Sequence, residues 1–175
     1  MALYREKYRV ETTRLASWDY SSRGYYFVTI CTKAHENSFG EIVAGEMVRT
    51  NIGQAACECW QAIPRHFPFA RPEDFVLMPN HVHGIVAIEQ DGQAGGGNAF
   101  GPQSGNLAAI IRGYKIGVKK CATAQGVGFH WQPRFYEHII RDQRSLEKIR
   151  HYIATNPQRW EFDEYNQARQ RHRPR

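Results

Sequence analysis

Phe75-Val76-Leu77-Met78-Pro79-Asn80-His81-Val82-His83-Gly84-Ile85-Val86-Ala87-Ile88 is apolar almost throughout. Pro79-Asn80 divides it into two adjacent strands, 73–78 and 81–89. Side chains i and i+2 of a strand point to the same face. His81 and His83 therefore converge on one side of a sheet, while Val82 packs into the other. Neutral imidazole is the commonest protein ligand for divalent transition metals. A single histidine near a core is usually a hydrogen-bonded core residue, but two on one face of one strand make half of a metal site. Structural zinc is the wrong metal, because Cys31, Cys57, Cys59 and Cys121 show no C-x-x-C spacing. Two histidines alone leave coordination positions open, which suits catalysis better than bracing.

Further strands and helices flank this run. The stretch 25–32, Tyr-Tyr-Phe-Val-Thr-Ile-Cys-Thr, is aromatic and β-branched and predicts a first strand. A small hairpin is expected over 39–48, turning at Ala44-Gly45-Glu46. Ile52, Ala55, Ala56, Cys59, Trp60 and Ile63 have helical spacing over 51–63, and Pro64 and Pro68 should stop that helix. Residues 90–105 are glycine-rich and predict a flexible loop. A second helix is expected over 106–121, with Leu107, Ile110, Ile111, Tyr114 and Val118 on one face and Lys115, Lys119 and Lys120 on another. A fourth main strand follows over 134–141. Ser145 is the expected N-cap of a last helix reaching Asn156, where Pro157 forbids much continuation. The order β-α-β-β-α-β plus a helix is that of an α+β, ferredoxin-like split βαβ sandwich, with right-handed crossovers expected.

With 175 residues the chain is read as one domain, 1–175, with a core over about 20–160. Residues 1–14 are charged and polar, with no apolar signal stretch, and no run approaches a membrane span. The cysteines then read as reduced thiols of a cytoplasmic protein. There are 23 basic and 17 acidic side chains, giving a net charge of +6, and the tail 167–175 holds four arginines (Arg169, Arg171, Arg173, Arg175). That balance points weakly to a polyanionic partner.

Tyr152-Ile153-Ala154-Thr155-Asn156 closes the last helix. Residues i and i+4 share a face, so a phenol and an amide are presented together, with Ile149 and Ile153 as the packing stripe. Met78-Pro79-Asn80-His81-Val82-His83-Gly84-Ile85, the stretch from Trp131 to Arg141 and Tyr152-Ile153-Ala154-Thr155-Asn156-Pro157 together resemble the single-tyrosine HUH transposases. Within these the chain looks like the REP-associated branch, related to insertion-sequence 200 transposases. Tyr8-Arg9-Val10-Glu11, Arg14-Leu15 and the strand 26–30 share the likeness, which runs from about Tyr8 to Trp160. The resemblance implies that His81 and His83 are metal ligands, Tyr152 the nucleophile and Asn156 the third ligand. Some mobile-element relatives have glutamine at the Asn156 position, and the shorter amide favours the REP-associated branch. It also implies a bacterial, nucleoid-associated protein acting on single-stranded or hairpin DNA, as a homodimer or a monomer.

The chemistry agrees. Breaking a DNA strand without losing its bond energy needs a covalent nucleophile, which a tyrosine supplies as a 5′-phosphotyrosine with a free 3′-hydroxyl. No nucleotide triphosphate is required, and no Gly-x-x-x-x-Gly-Lys loop is present. Free tyrosine has a pKa of about 10, so a divalent cation that polarises the phosphate is needed at neutral pH. Mixed nitrogen and oxygen ligands suit Mg2+ or Mn2+, with zinc an occupant in vitro. Arg14, Arg112, Lys115, Lys119 and Arg134 are candidate phosphate contacts, and Trp131 or Tyr136 candidate stacking surfaces for unpaired bases. Each of these is equally well read as a solvated charge or a core aromatic. Sequence-reading contacts are assigned to 9–18. The alternatives are a non-cleaving nucleic-acid-binding regulator on the same fold, and a relaxase or replication-initiator nickase. The intact Tyr152 and Asn156 argue against the first; small size and a tyrosine after the histidines argue against the second.

Overall fold

Alternation along β1 (Gly24–Cys31) builds both faces of the sheet. Tyr26, Val28 and Ile30 enter one core, while Phe27 enters a second core on the opposite side. The computed structural model describes residues 18–90 and 105–166. A hairpin of β2 (Gly40–Val43) and β3 (Glu46–Arg49) comes next, turning through Ala44 and Gly45 at φ of 52° and 80°. Positive φ at both central residues is the hairpin geometry that matches the strand twist. Helices α1 (Asn51–Gln61) and α2 (Ile63–His66) lead into β4 (Ala70–Leu77) and β5 (His81–Ile88). Helix α3 (Leu107–Ala124), β6 (Tyr136–Ile140), α4 (Gln143–Thr155) and a 3₁₀ helix (Pro157–Phe162) complete the order.

The main sheet is antiparallel, in the order β4-β5-β1-β6. Counting only its own strands, that is second-third-first-fourth, the ferredoxin-like split βαβ arrangement the sequence predicts. Ile52, Ala56 and Trp60 of α1 and Leu107, Ile110, Tyr114 and Val118 of α3 pack against Tyr26, Val28, Ile30, Val82 and Val86. On the other layer Leu146, Ile149 and Ile153 of α4 meet Phe27, Ile85 and Ile140. Each fully buried large aliphatic contributes roughly 1.5–3 kcal/mol, so both layers are strongly held. Gly84 lies on the α1 side, where a Cβ would sit 2.4 Å from the Trp60 ring. Only glycine lets α1 approach β5 that closely, directly behind the histidines.

Several boundaries differ from the sequence reading. Pro64 does not stop the helical region but opens α2, because a first-turn residue has no helical N–H bond to lose. β4 begins at Ala70, ahead of the expected 73, and its pairing shifts between Pro72 and Phe75. A proline is tolerated there because β4 is an edge strand. Ser145 is not the N-cap of α4. Asp142 is, accepting from the Ser145 amide at 2.8 Å and from its hydroxyl at 2.9 Å. An ionised carboxylate is the better partner for the positive end of the helix. β6 starts at Tyr136, two residues later than expected, after Arg134 at φ 68°.

Among the described residues all four cysteines are free, and no helix is long and apolar enough to cross a membrane. The glycine-rich segment (apart from Gln90 and Gly105), Arg14 with most of the amino-terminal stretch, and the arginine tail lie outside the described residues.

Candidate active site

β5 carries His81 and His83 into the layer beneath α4, and both are buried. Their Nε2 atoms face one another at 3.0 Å. Each ring is fixed from behind. Asn80 Nδ2 donates to the carbonyls of His35 (3.1 Å) and Tyr165 (2.8 Å), which leaves its Oδ1 to accept from His81 Nδ1 at 2.8 Å. The proton of neutral His81 is thereby placed on Nδ1 and the lone pair on Nε2, the tautomer a metal ligand needs. His83 Nδ1 lies 2.8 Å from the hydroxyl of Thr29, its register partner on β1. Burial pushes both imidazoles below their ordinary pKa, His83 to about 3; for His81 the charge that His83 would carry adds to the effect. Both rings are therefore neutral at physiological pH.

Helix α4 brings the phenol. Tyr152 is 38% exposed, and its Oη lies 3.1 Å from His83 Nε2. Its ring stands edge-on to Phe27, which stacks on His83 with centroids 5.5 Å apart. Burial raises the phenol's pKa above its ordinary value, against a smaller opposite pull from a hydrogen bond with the Asn156 side chain; Asp163 and Glu164 add to the rise. The phenol is thus protonated at neutral pH. Asn156 is itself buried, and its Oδ1 has no hydrogen-bond partner among the described residues. An unpartnered buried carbonyl costs about 1–3 kcal/mol, which a cation would recover.

The structure adds a carboxylate that the sequence reading did not name. Asp163, just after the 3₁₀ helix, places Oδ2 3.9 Å from His81 Nε2. His81, His83 and Asp163 form a cluster able to hold a metal ion, each offering an atom within 4.8 Å of the others. Two nitrogens 3.0 Å apart subtend a right angle at an ion about 2.1 Å from each, the spacing of octahedral divalent cations. The donors therefore fit a divalent ion with two imidazoles and oxygen ligands. Neither Asp163 nor Asn80 carries a periodic signal; their place is set by β-register and by the return of the chain after α4. The asparagine before His81 was visible in the sequence, but its role required the His35 and Tyr165 carbonyls.

If Asn80 holds the ligating tautomer, Asn80→Ala is expected to weaken Mn2+ binding by roughly 10–100-fold. Calorimetric titration of the folded variant measures this, and an unchanged affinity would remove Asn80 from the site.

The other sequence candidates gather elsewhere. Arg112, Lys115 and Lys119 on α3 come together with Trp131 and Arg134 around one cavity. It borders the layer opposite α4, so these residues do not join Tyr152. Trp131 and Lys115 also have structural duties: the indole donates to the Lys115 carbonyl at 3.0 Å, and the ammonium donates to the carbonyls of Gln132 and Arg134. Tyr136 is exposed and packs edge-on against Phe27 beside the histidine site.

No protein-family model matches the chain. An uncharacterized protein of Haemophilus influenzae is 38% identical over 161 residues, covering 86% of this chain and 89% of that protein. The fold is also that of a REP-associated tyrosine transposase solved bound to a REP hairpin, with a TM-score of 0.60 at 22% identity over 89% of this chain and 77% of the other.

Proposed function

We propose that this chain, which belongs to one family with the Haemophilus influenzae protein and has the fold of the REP-associated transposase, is a metal-dependent DNA strand transferase of the single-tyrosine HUH type. The observation that carries the reading is the Tyr152 phenol, 3.1 Å from Nε2 of a buried histidine pair and delivered by the chain's own helix. A merely structural tyrosine has no reason to meet one neutral imidazole of a buried pair and the side chain of a buried asparagine.

In this reading Tyr152 Oη attacks a DNA phosphorus. The phenol gives up its proton as P–Oη forms, P–O3′ breaks and the leaving 3′ oxygen takes up a proton, so the products are a 5′-phosphotyrosine and a 3′-hydroxyl. Rejoining reverses these steps. His81 and His83 hold a divalent cation, Mg2+ or Mn2+ in the cell, with Asn156 Oδ1 and Asp163 as oxygen donors. When bound, such an ion polarises the scissile phosphate and stabilises the charge that develops on it. Phe27 and Asn156 hold the phenol in line with the site. All these residues belong to one chain, so the reading needs no second copy. The whole chain is read as one catalytic domain working in the cytoplasm at the nucleoid, where its substrate is.

The substrate is single-stranded DNA beside a folded hairpin, of the REP kind. A duplex hides its phosphodiester from a short helix-borne phenol, whereas an unpaired strand can bend into the site. One oligonucleotide offered as free strand, as hairpin with a single-stranded flank and as full duplex tests this. The flanked hairpin is expected to bind tightest and to be the form that is cut, with affinity falling as salt rises because counterions are released. Tightest binding to the duplex would overturn the reading in favour of a duplex-binding regulator.

A further inference from the structure

We propose that the cavity between α3 and the loop 129–135 binds one unpaired nucleotide of the DNA strand, its base against Trp131 and Phe135 and its phosphates against Arg112, Lys119 and Arg134. The proposal rests on the DNA reading above and adds to it a second contact, away from the tyrosine.

The cavity has a volume of about 400 Å³, within the range of small-molecule sites. Ala108, Arg112, Lys115 and Lys119 follow one another at four, three and four residues, so they form one stripe along α3. That stripe is one wall, and Trp131, Arg134 and Phe135 are the other. Among the described residues no acidic side chain lines it. Such a mixture of cations and aromatic surface suits a ligand with a flat base and a negative backbone. An acidic peptide would use the charge but leave the aromatic surface without a partner.

The loop is braced. The Lys33 amide donates to the His130 carbonyl at 2.9 Å, and the Gln132 amide to the Cys31 carbonyl at 2.9 Å. From α3, the Lys115 ammonium clamps the carbonyls of Gln132 and Arg134 at 2.8 and 2.7 Å. Lys115 therefore shapes the wall, while the exposed Arg112, Lys119 and Arg134 supply charge at the rim. The clamp holds Arg134 at φ 68°, a conformation costing a non-glycine residue on the order of 1 kcal/mol or more. Strain kept at a braced, cationic rim is characteristic of a binding surface. Cys31 is the register partner of His81, so the cavity and the histidine pair share one end of the sheet, on opposite layers. A strand cut at Tyr152 can continue past that end into the cavity.

The test uses the full chain, without added metal, and a labelled hairpin bearing single-stranded flanks. Each flank nucleotide is replaced in turn by an abasic residue, and binding is followed by fluorescence anisotropy. At one position the missing base is expected to weaken binding about tenfold, the loss of one stacked base. Ala108→Trp, which fills the cavity, should weaken binding of the intact oligonucleotide by the same factor and erase the abasic effect. Lys119→Glu, on the exposed rim, should weaken binding and lower its salt dependence without touching the core. The proposal is overturned if no flank position is sensitive, or if the sensitive position persists in Ala108→Trp. Cleavage reports separately: loss of cutting with the abasic pattern intact sinks the tyrosine mechanism alone, and cutting without any abasic pattern sinks the cavity alone.

Discussion

Tyr152→Phe is expected to abolish strand cleavage while leaving hairpin DNA binding within a few-fold of wild type. The substitution removes one oxygen and keeps the ring, whose edge contact with Phe27 is apolar. It also deletes the hydrogen bonds to His83 and Asn156, at a cost in stability of about 1 kcal/mol. Removing an essential nucleophile costs on the order of a millionfold in rate. A 3′-labelled oligonucleotide that migrates with the wild-type protein after denaturation, and not with the variant, would identify the covalent link. Residual cutting by the phenylalanine variant would show that another group attacks.

His81→Ala and His83→Ala should each remove metal-dependent cleavage, by at least roughly a hundredfold, without unfolding the protein. The two imidazoles act as a pair, because their Nε2 atoms meet at one point, so losing either leaves a site with one nitrogen donor. Each variant also vacates a buried volume and strands a partner: Asn80 Oδ1 for His81, the Thr29 hydroxyl for His83. Circular dichroism and a thermal melt separate that cost from the loss of the ion, and Mn2+ titration measures the ion directly. Wild-type activity that survives excess chelator would sink the metal argument.

The histidine pair and the tyrosine–asparagine pair were legible because each depends on a local period: two along β5, four along α4. Both periods survive folding, and the structure puts Val82 in the α1/α3 core as the alternation requires. The sheet order followed from the sequence of elements, β-α-β-β-α-β, whose split βαβ arrangement sets which strands are neighbours. What the sequence could not display were contacts made across long separations. Thr29 reaches His83 only through the register of β1 on β5, and Tyr165 reaches Asn80 from 85 residues away. Asp163 likewise arrives by the path of the chain after Pro157. The cap of α4 was misplaced for a different reason: Asp142 and Ser145 are both good caps in isolation, and the choice depends on where β6 ends.

The alternation of β5 also constrains how this chain can change in length. Slipping β5 by one residue against β1 would exchange its faces. His81 and His83 would enter the hydrocarbon packed beneath α1 and α3, and Val82 would face Tyr152. No intermediate insertion exists, since a strand has no half-step, and a two-residue change would move the imidazoles past Thr29 and the phenol. Gly84 closes the remaining freedom, because any other residue at that step meets Trp60. The segment from Pro79 to Gly84 can therefore drift in composition only within a fixed spacing. Insertions and deletions accepted during divergence should accumulate outside it, so a library of random single-codon deletions should lose every member that falls within those six positions.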